Sequence, residues 1–168
     1  VGQKATGTLV LDDLRPGRNL YLFSTGTGLA PFMSIVRDPE TYERFEKLVL
    51  IHGVRLVSEL AYSDYLTKEL PQHEFLGDMV RDQLIYYPTV TREAFTHTGR
   101  LTTAMESGKL FADIGLAPLD PAVDRAMICG SPSMLKETAQ MLDQRGFEVS
   151  PGLGQPGDYL IERAFVER

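Results

Sequence analysis

The chain has 168 residues, 43% of them hydrophobic, which suits one domain with a core large enough to cover a sheet. Its net charge of −6 argues against general affinity for nucleic acid or membrane surfaces, so any bound anion needs a local basic cluster. A single cysteine excludes an internal disulfide or a cysteine-rich zinc site, and fits a reducing, cytoplasmic setting.

In chain order, Thr8–Leu11 reads as a lone strand before a turn at Pro16-Gly17. Leu20–Phe23 reads as the first core strand. Pro31–Arg37 reads as a short helix stopped near Asp38-Pro39, and Leu48–Ile51 as a second buried strand. Ser58–Leu70 carries Leu60, Ala61, Tyr65 and Leu66 at amphipathic-helix spacing and stops at Pro71. Leu84–Val90 reads as a third strand, and Pro88 inside it points to an edge position or an irregular end. Leu101–Met105 predicts a helix, Ala126–Cys129 a fourth core strand, Met134–Leu142 a helix closed by Gly146, and Tyr159–Val166 a late strand. Continuous apolar strands separated by helices predict an α/β fold built on a parallel sheet covered on both faces. The chain begins with Val1, without a basic-then-apolar leader and without an apolar run of roughly 18 residues. The expectation is the rear portion of a longer protein.

The first core strand runs straight into Ser24-Thr25-Gly26-Thr27-Gly28-Leu29-Ala30-Pro31. A helix starting at the carboxyl end of a parallel strand aims free N–H groups and a partial positive charge at the crevice, and glycines let phosphate approach. Pro31 falls where a first helical turn loses nothing by lacking an N–H. A tight strand-to-helix turn that binds nothing also needs glycine, so the G-x-G alone leaves both readings open. It is not a Walker loop, and Pro31 stands in place of the third glycine of the dinucleotide fingerprint.

Arg55 closes the second strand and Arg92 the third, with Arg100 eight residues on. An NAD-binding fold often places an acidic residue near the second strand's end for the ribose hydroxyl. Guanidinium forks there suit a phosphate instead. The bland alternative is surface ion pairs with Glu59 or Glu93. At the fourth strand's end Cys129-Gly130-Ser131-Pro132 again leads into a helix. A lone buried cysteine is ordinarily apolar filling, but here it stands at the same sheet edge as the first loop.

Taken together, S-T-G-T-G-L-A-P, H-G-V-R, T-V-T-R-E, T-G-R, C-G-S-P-S-M and the ending E-R-A-F-V-E-R resemble the C-terminal, NADP-binding domain of bacterial ferredoxin (flavodoxin)–NADP reductases, from about Thr6 to Arg168. The resemblance implies a five-stranded parallel Rossmann-like sheet flanked by helices. Residues 1–17 would be the last strand and linker of a missing N-terminal FAD-binding barrel, and residues 18–168 the NADP-binding domain. It implies that Gly26, Thr27 and Gly28 hold the pyrophosphate, with Thr25 and Pro31 also among the NADP-binding residues, and that Arg55, Arg92 and Arg100 surround the 2′-phosphate. Cys129 and Glu162 would act at the nicotinamide, in a pocket shaped by Gly130, Ser131, Pro132 and Met134. Ala164 and Phe165 would lie against FAD in a tail like that of the bacterial subclass. The flavin motif R-x-Y-[ST] of the family's barrel is absent from this sequence. The implied activity is hydride transfer from NADPH to FAD, then single-electron transfer to ferredoxin or flavodoxin, in an enzyme needing no metal. An oxygenase-reductase component or NADH-dependent flavin reductase on the same scaffold, and a non-catalytic NADP-binding module, are the alternatives.

Overall fold

The computed structural model describes residues 9–152 and 154–163. Five strands form one sheet: β1 (Asn19–Thr25), β2 (Lys47–Val54), β3 (Leu84–Val90), β4 (Asp124–Gly130) and β5 (Tyr159–Arg163). Their order is β3-β2-β1-β4-β5 and every pairing is parallel. Every residue of β4 is buried, as are all but the two ends of β1. This is why both read as uninterrupted apolar runs. β3 is an edge strand, which explains how it tolerates Pro88.

Period-two alternation divides the core in two. Leu20, Leu22, Leu48, Leu50, Met127 and Cys129 face one side, where Phe32, Met33 and Val36 of α1 (Ala30–Val36) cover them. Tyr21, Phe23, Val49, Ile51 and Ile128 face the other. Leu101 and Met105 of α4 (Leu101–Glu106) and Met134, Leu135, Met141 and Leu142 of α6 (Pro132–Gln144) cover that side. Three further helices, α2 (Pro39–Arg44), α3 (Gly77–Gln83) and α5 (Lys109–Ile114), escaped the sequence reading.

Two elements differ from expectation. Thr8 lies outside the described residues, and no strand forms after it: Leu11–Asp13 is a 3-10 turn. The segment beyond docks on the neighbourhood of β5 through Arg15 N–H to Gly157 O and Gly157 N–H to Asp13 O. Buried Asp158 fixes it with Arg15 at 3.1 Å and Arg125 at 3.6 Å. The expected helix over Ser58–Leu70 is broken into a 3-10 turn at Val57–Glu59, a π turn at Tyr65–Glu69 and a 3-10 turn at Leu70–Gln72. Glu59 closes the first piece by accepting the Arg55 and Leu56 N–H groups, both at 2.9 Å, and Pro71 has no N–H to continue the last. Asp38-Pro39, read as a stop, instead starts α2: the Asp38 carboxylate caps Glu40 N–H at 2.9 Å and proline takes the first helical position.

Candidate nucleotide site

The chain turns from β1 leftward to β2 and β3, then back to β4 and β5. Ligands of open α/β sheets bind at such a reversal, outside the carboxyl ends of the strands. The loops after β1 and β4 meet there. Gly26–Leu29 forms a 3-10 turn that leads into α1, and Ser131 caps α6 with its side chain facing Met134 N–H at 3.4 Å. Ser131 N–H reaches back to Thr25 Oγ1 at 3.4 Å.

The two glycines of the first loop serve different needs. Gly26 has φ +53°, a left-handed conformation, with open space where a Cβ would be. A Cβ on Gly28 would clash with the carbonyl group of Cys129, so Gly28 lets the loop pack on β4. Gly130 is held equally tightly by Thr25 and Met134.

A cleft of about 620 Å³ opens over this edge. Arg55, Arg92 and Arg100 all line it, with Thr25, Gly26, Thr27, Ser131 and Met134, so the structure brings together eight of the residues expected at the cofactor. Gly28, Pro31, Cys129, Gly130, Pro132 and Glu162 are not on its lining. Ala164 and Phe165 lie outside the described residues. The sequence reading missed Gly53, Thr89, Thr91, Ser133, Glu59 and Glu137 as lining residues. Glu137, six residues past the Ser131 cap of α6, carries no signal in the sequence that it will meet Arg100 from another loop.

Those carboxylates pair with two of the arginines. Arg55 lies 3.7 Å from Glu59 and Arg100 2.5 Å from Glu137, and all four side chains are at least a third exposed. Arg92 makes no side-chain hydrogen bond or ion pair among the described residues. Glu93, considered as a partner for the arginines, accepts Val57 N–H at 2.7 Å instead. Hydrogen bonds from Leu56 and Arg55 N–H, aided by the Arg55 and Arg92 charges and opposed by partial desolvation, hold the Glu59 carboxyl below its usual range.

Sheet register explains where Cys129 went. One row crosses all five strands at the carboxyl edge: Pro88, His52, Ser24, Cys129 and Glu162. The next row contains Thr89, Gly53 and Thr25, points to the opposite face and lines the cleft. Cys129 is fully buried on the α1 side, where burial, helped by the Glu162 charge, pushes its thiol up to about 12. It is a neutral thiol at physiological pH, not a poised nucleophile.

Residues 22–140 match the oxidoreductase NAD-binding domain family. The chain belongs to that family. Over its whole length it is 66% identical to the ferredoxin–NADP reductase of Pseudomonas aeruginosa and 66% identical to that of Azotobacter vinelandii, and in each case spans 65% of the relative. A crystal structure of a ferredoxin–NADP+ reductase from Neisseria gonorrhoeae with bound FAD and NADP is similar at a TM-score of 0.82 and 31% identity, over 96% of this chain and 62% of that one. The chain thus spans less than two thirds of the length of these relatives. No helix among the described residues is long and apolar enough to cross a membrane.

Proposed function

We propose that this chain is the NADP(H)-holding domain of a flavoprotein reductase that serves ferredoxin or flavodoxin. The observation that carries the reading is the convergence of Arg55, Arg92 and Arg100, from three separate segments, on one cleft beside the Gly26–Leu29 turn. The first N–H groups of that turn have no intrahelical acceptor and suit a pyrophosphate. The arginines suit a terminal phosphate on the adenosine. Residues 18–168 then form the nucleotide domain, and residues 1–17 lead in from a flavin-binding barrel that contributes most of the FAD site.

Bound there, NADPH supplies a hydride for the flavin, and the reduced flavin is the source of single electrons. The chain's own residues clamp and orient. Arg92, which feels the Glu59 charge but makes no side-chain ion pair among the described residues, is the first cation available to a 2′-phosphate. Arg55 and Arg100 exchange exposed ion pairs, worth little in water, for charge-assisted bonds to phosphate. The Gly26–Gly28 loop would hold a pyrophosphate at the sheet edge. Glu162, paired with Cys129 in the sheet, would stand toward the nicotinamide end, with the buried neutral Cys129 thiol packed beneath as support. Holding the remote adenosine end converts binding energy into orientation of the reacting end.

A second reading, an NADH-dependent reductase on the same scaffold, draws on Glu59 and Glu137, since a carboxylate in this region can accept ribose hydroxyls. Arg92→Ala separates the two. Losing a charge-assisted bond worth roughly 1.5–3 kcal/mol weakens NADP+ binding at least tenfold while NAD+ binding holds. Equal losses for both nucleotides contradict the 2′-phosphate assignment and favour the NADH reading.

A further inference from the structure

His52 is a polar residue in the body of β2, 1% exposed, and lines no part of the cleft. Its Nε2 lies 2.8 Å from the carbonyl oxygen of Gly26. A carbonyl only accepts, so Nε2 carries the proton and Nδ1 is the bare acceptor. Nδ1 has no partner among the described residues. A buried unmet acceptor costs stability that an apolar residue at this position would not. Burial keeps the ring neutral, and its desolvation outweighs the contributions of Gly26 and Glu59.

We infer that His52 is a positioning residue for the phosphate loop: by holding the Gly26 carbonyl against the sheet it aims the Thr27 N–H into the cleft. The geometry follows from the peptide bond. No cis peptide occurs in the described chain, and in a trans peptide the C=O and the following N–H point in opposite directions. The Gly26 carbonyl is drawn toward His52, so the Thr27 N–H of the same peptide is directed away from it. Gly26 and Thr27 both line the cleft. Thr27 N–H is also among the first donors of the 3-10 turn, which lack an intrahelical acceptor. The bond therefore removes a partial negative charge from an anion's path and presents a donor in its place. It also polarises that donor, because hydrogen bonding at one end of a peptide strengthens the other. The left-handed Gly26, with nothing crowding its Cα, has no side chain to hold this orientation itself, so the hold comes from below.

This inference rests on the cleft being an NADP(H) site, and the test reads the two separately. Gln carries its terminal amide about as far from the backbone as Nε2, whereas Asn stops near Nδ1. His52→Gln and His52→Asn are thus neutral polar variants that differ in reach. Calorimetry of the wild-type chain and both variants with NADP+ and with 2′-AMP, which lacks the pyrophosphate, decides. The expected result is His52→Gln within about threefold of wild type for NADP+ and His52→Asn weakened about tenfold, with 2′-AMP bound alike by all three. Equal NADP+ affinity in the two variants overturns the inference, as does a parallel loss of 2′-AMP, which would mean general damage to the cleft. Failure of the wild type to bind 2′-AMP strikes instead at the reading of the cleft. An ¹⁵N spectrum of the histidine rings is an independent check: His52 is expected as the Nε2–H tautomer, and an Nδ1–H tautomer overturns the inference whatever the binding data.

Discussion

Gly26 and Gly28 stand two positions apart and answer to different forces. At Gly26 the backbone is left-handed, so Ala is strained by about 1–2 kcal/mol although space is free. At Gly28 the backbone is ordinary but β4 lies against it, so Ala forces the loop off the sheet, an overpacking cost of about 1–3 kcal/mol. Urea unfolding should show Gly28→Ala destabilised by this amount, and Asn at Gly26 milder than Ala because Asn tolerates left-handed backbone. Stability of Gly28→Ala within 0.5 kcal/mol of wild type, a margin of about the size expected of surface changes, would mean the loop is not seated on Cys129. His52 gives the chain a pH dependence of definite sign. Burial lowers its titration below the ordinary value, so the folded chain binds fewer protons than the unfolded one. The stability this represents is complete above the unfolded value of about 6.5 and is lost as pH falls through the folded value. Thermal unfolding midpoints measured from pH 7.5 down to 5 should therefore fall, and fall less steeply in His52→Gln.

At the scale of elements, the arginines depend on how their loop is held. After β3 the chain returns on itself: Val90 N–H bonds His97 O and Gly99 N–H bonds Val90 O, both at 3.0 Å. The His97 ring stacks on Tyr87 with centroids 4.0 Å apart. Tyr87 in turn donates to Asp113 at 2.5 Å, and Lys109 of α5 donates to the same carboxylate at 2.8 Å. His97 stands 3.6 Å from Asp113, too far for a hydrogen bond, and desolvation lowers its titration. Its hold is therefore stacking rather than an ion pair at neutral pH. Removing the ring frees the loop between Arg92 and Arg100. His97→Ala should weaken 2′-phosphate nucleotides several-fold while NAD+ binding stays within twofold, read by calorimetry. The five strands were legible because buried parallel strands carry continuous apolar runs, and the edge place of β3 because Pro88 lacks a ladder donor. Three of the short helices were not: α2 and α5 bury only adjacent residues, Thr41-Tyr42 and Leu110-Phe111, and α3 only Gly77 and Val80, so no apolar spacing stands out as it does in α1 and α4 of equal length. The Ser58–Leu70 pattern misled for the opposite reason: its apolar spacing is helical, but only Leu66 and Leu70 are buried, and local bonds from Glu59 break the ladder. Arginines at strand ends could be placed from sequence because parallel strands share one carboxyl edge. The Arg55–Glu59 pair, four residues apart, was among the partners the sequence offered, but the Arg100–Glu137 pair and the burial of Cys129 on the far face depended on register and helix docking that no motif records.

For the whole molecule, an acidic chain concentrates three arginines in a single cleft at the point where its sheet reverses direction. Two of the three pair with neighbouring carboxylates and Arg92 makes no ion pair among the described residues; under the proposed function this excess of positive charge suits an additional phosphate rather than a bare ribose. The most direct test of that claim is calorimetry of this chain with 2′,5′-ADP against 5′-AMP at one fixed salt concentration. The two probes differ only in the 2′-phosphate. The account predicts that 2′,5′-ADP binds at least tenfold more tightly, the minimum for one unpaired arginine meeting a phosphate, and that Arg92→Ala removes most of the difference. Equal affinity for the two probes would contradict it, leaving the arginines as surface charge and the glycine loop as a general dinucleotide site.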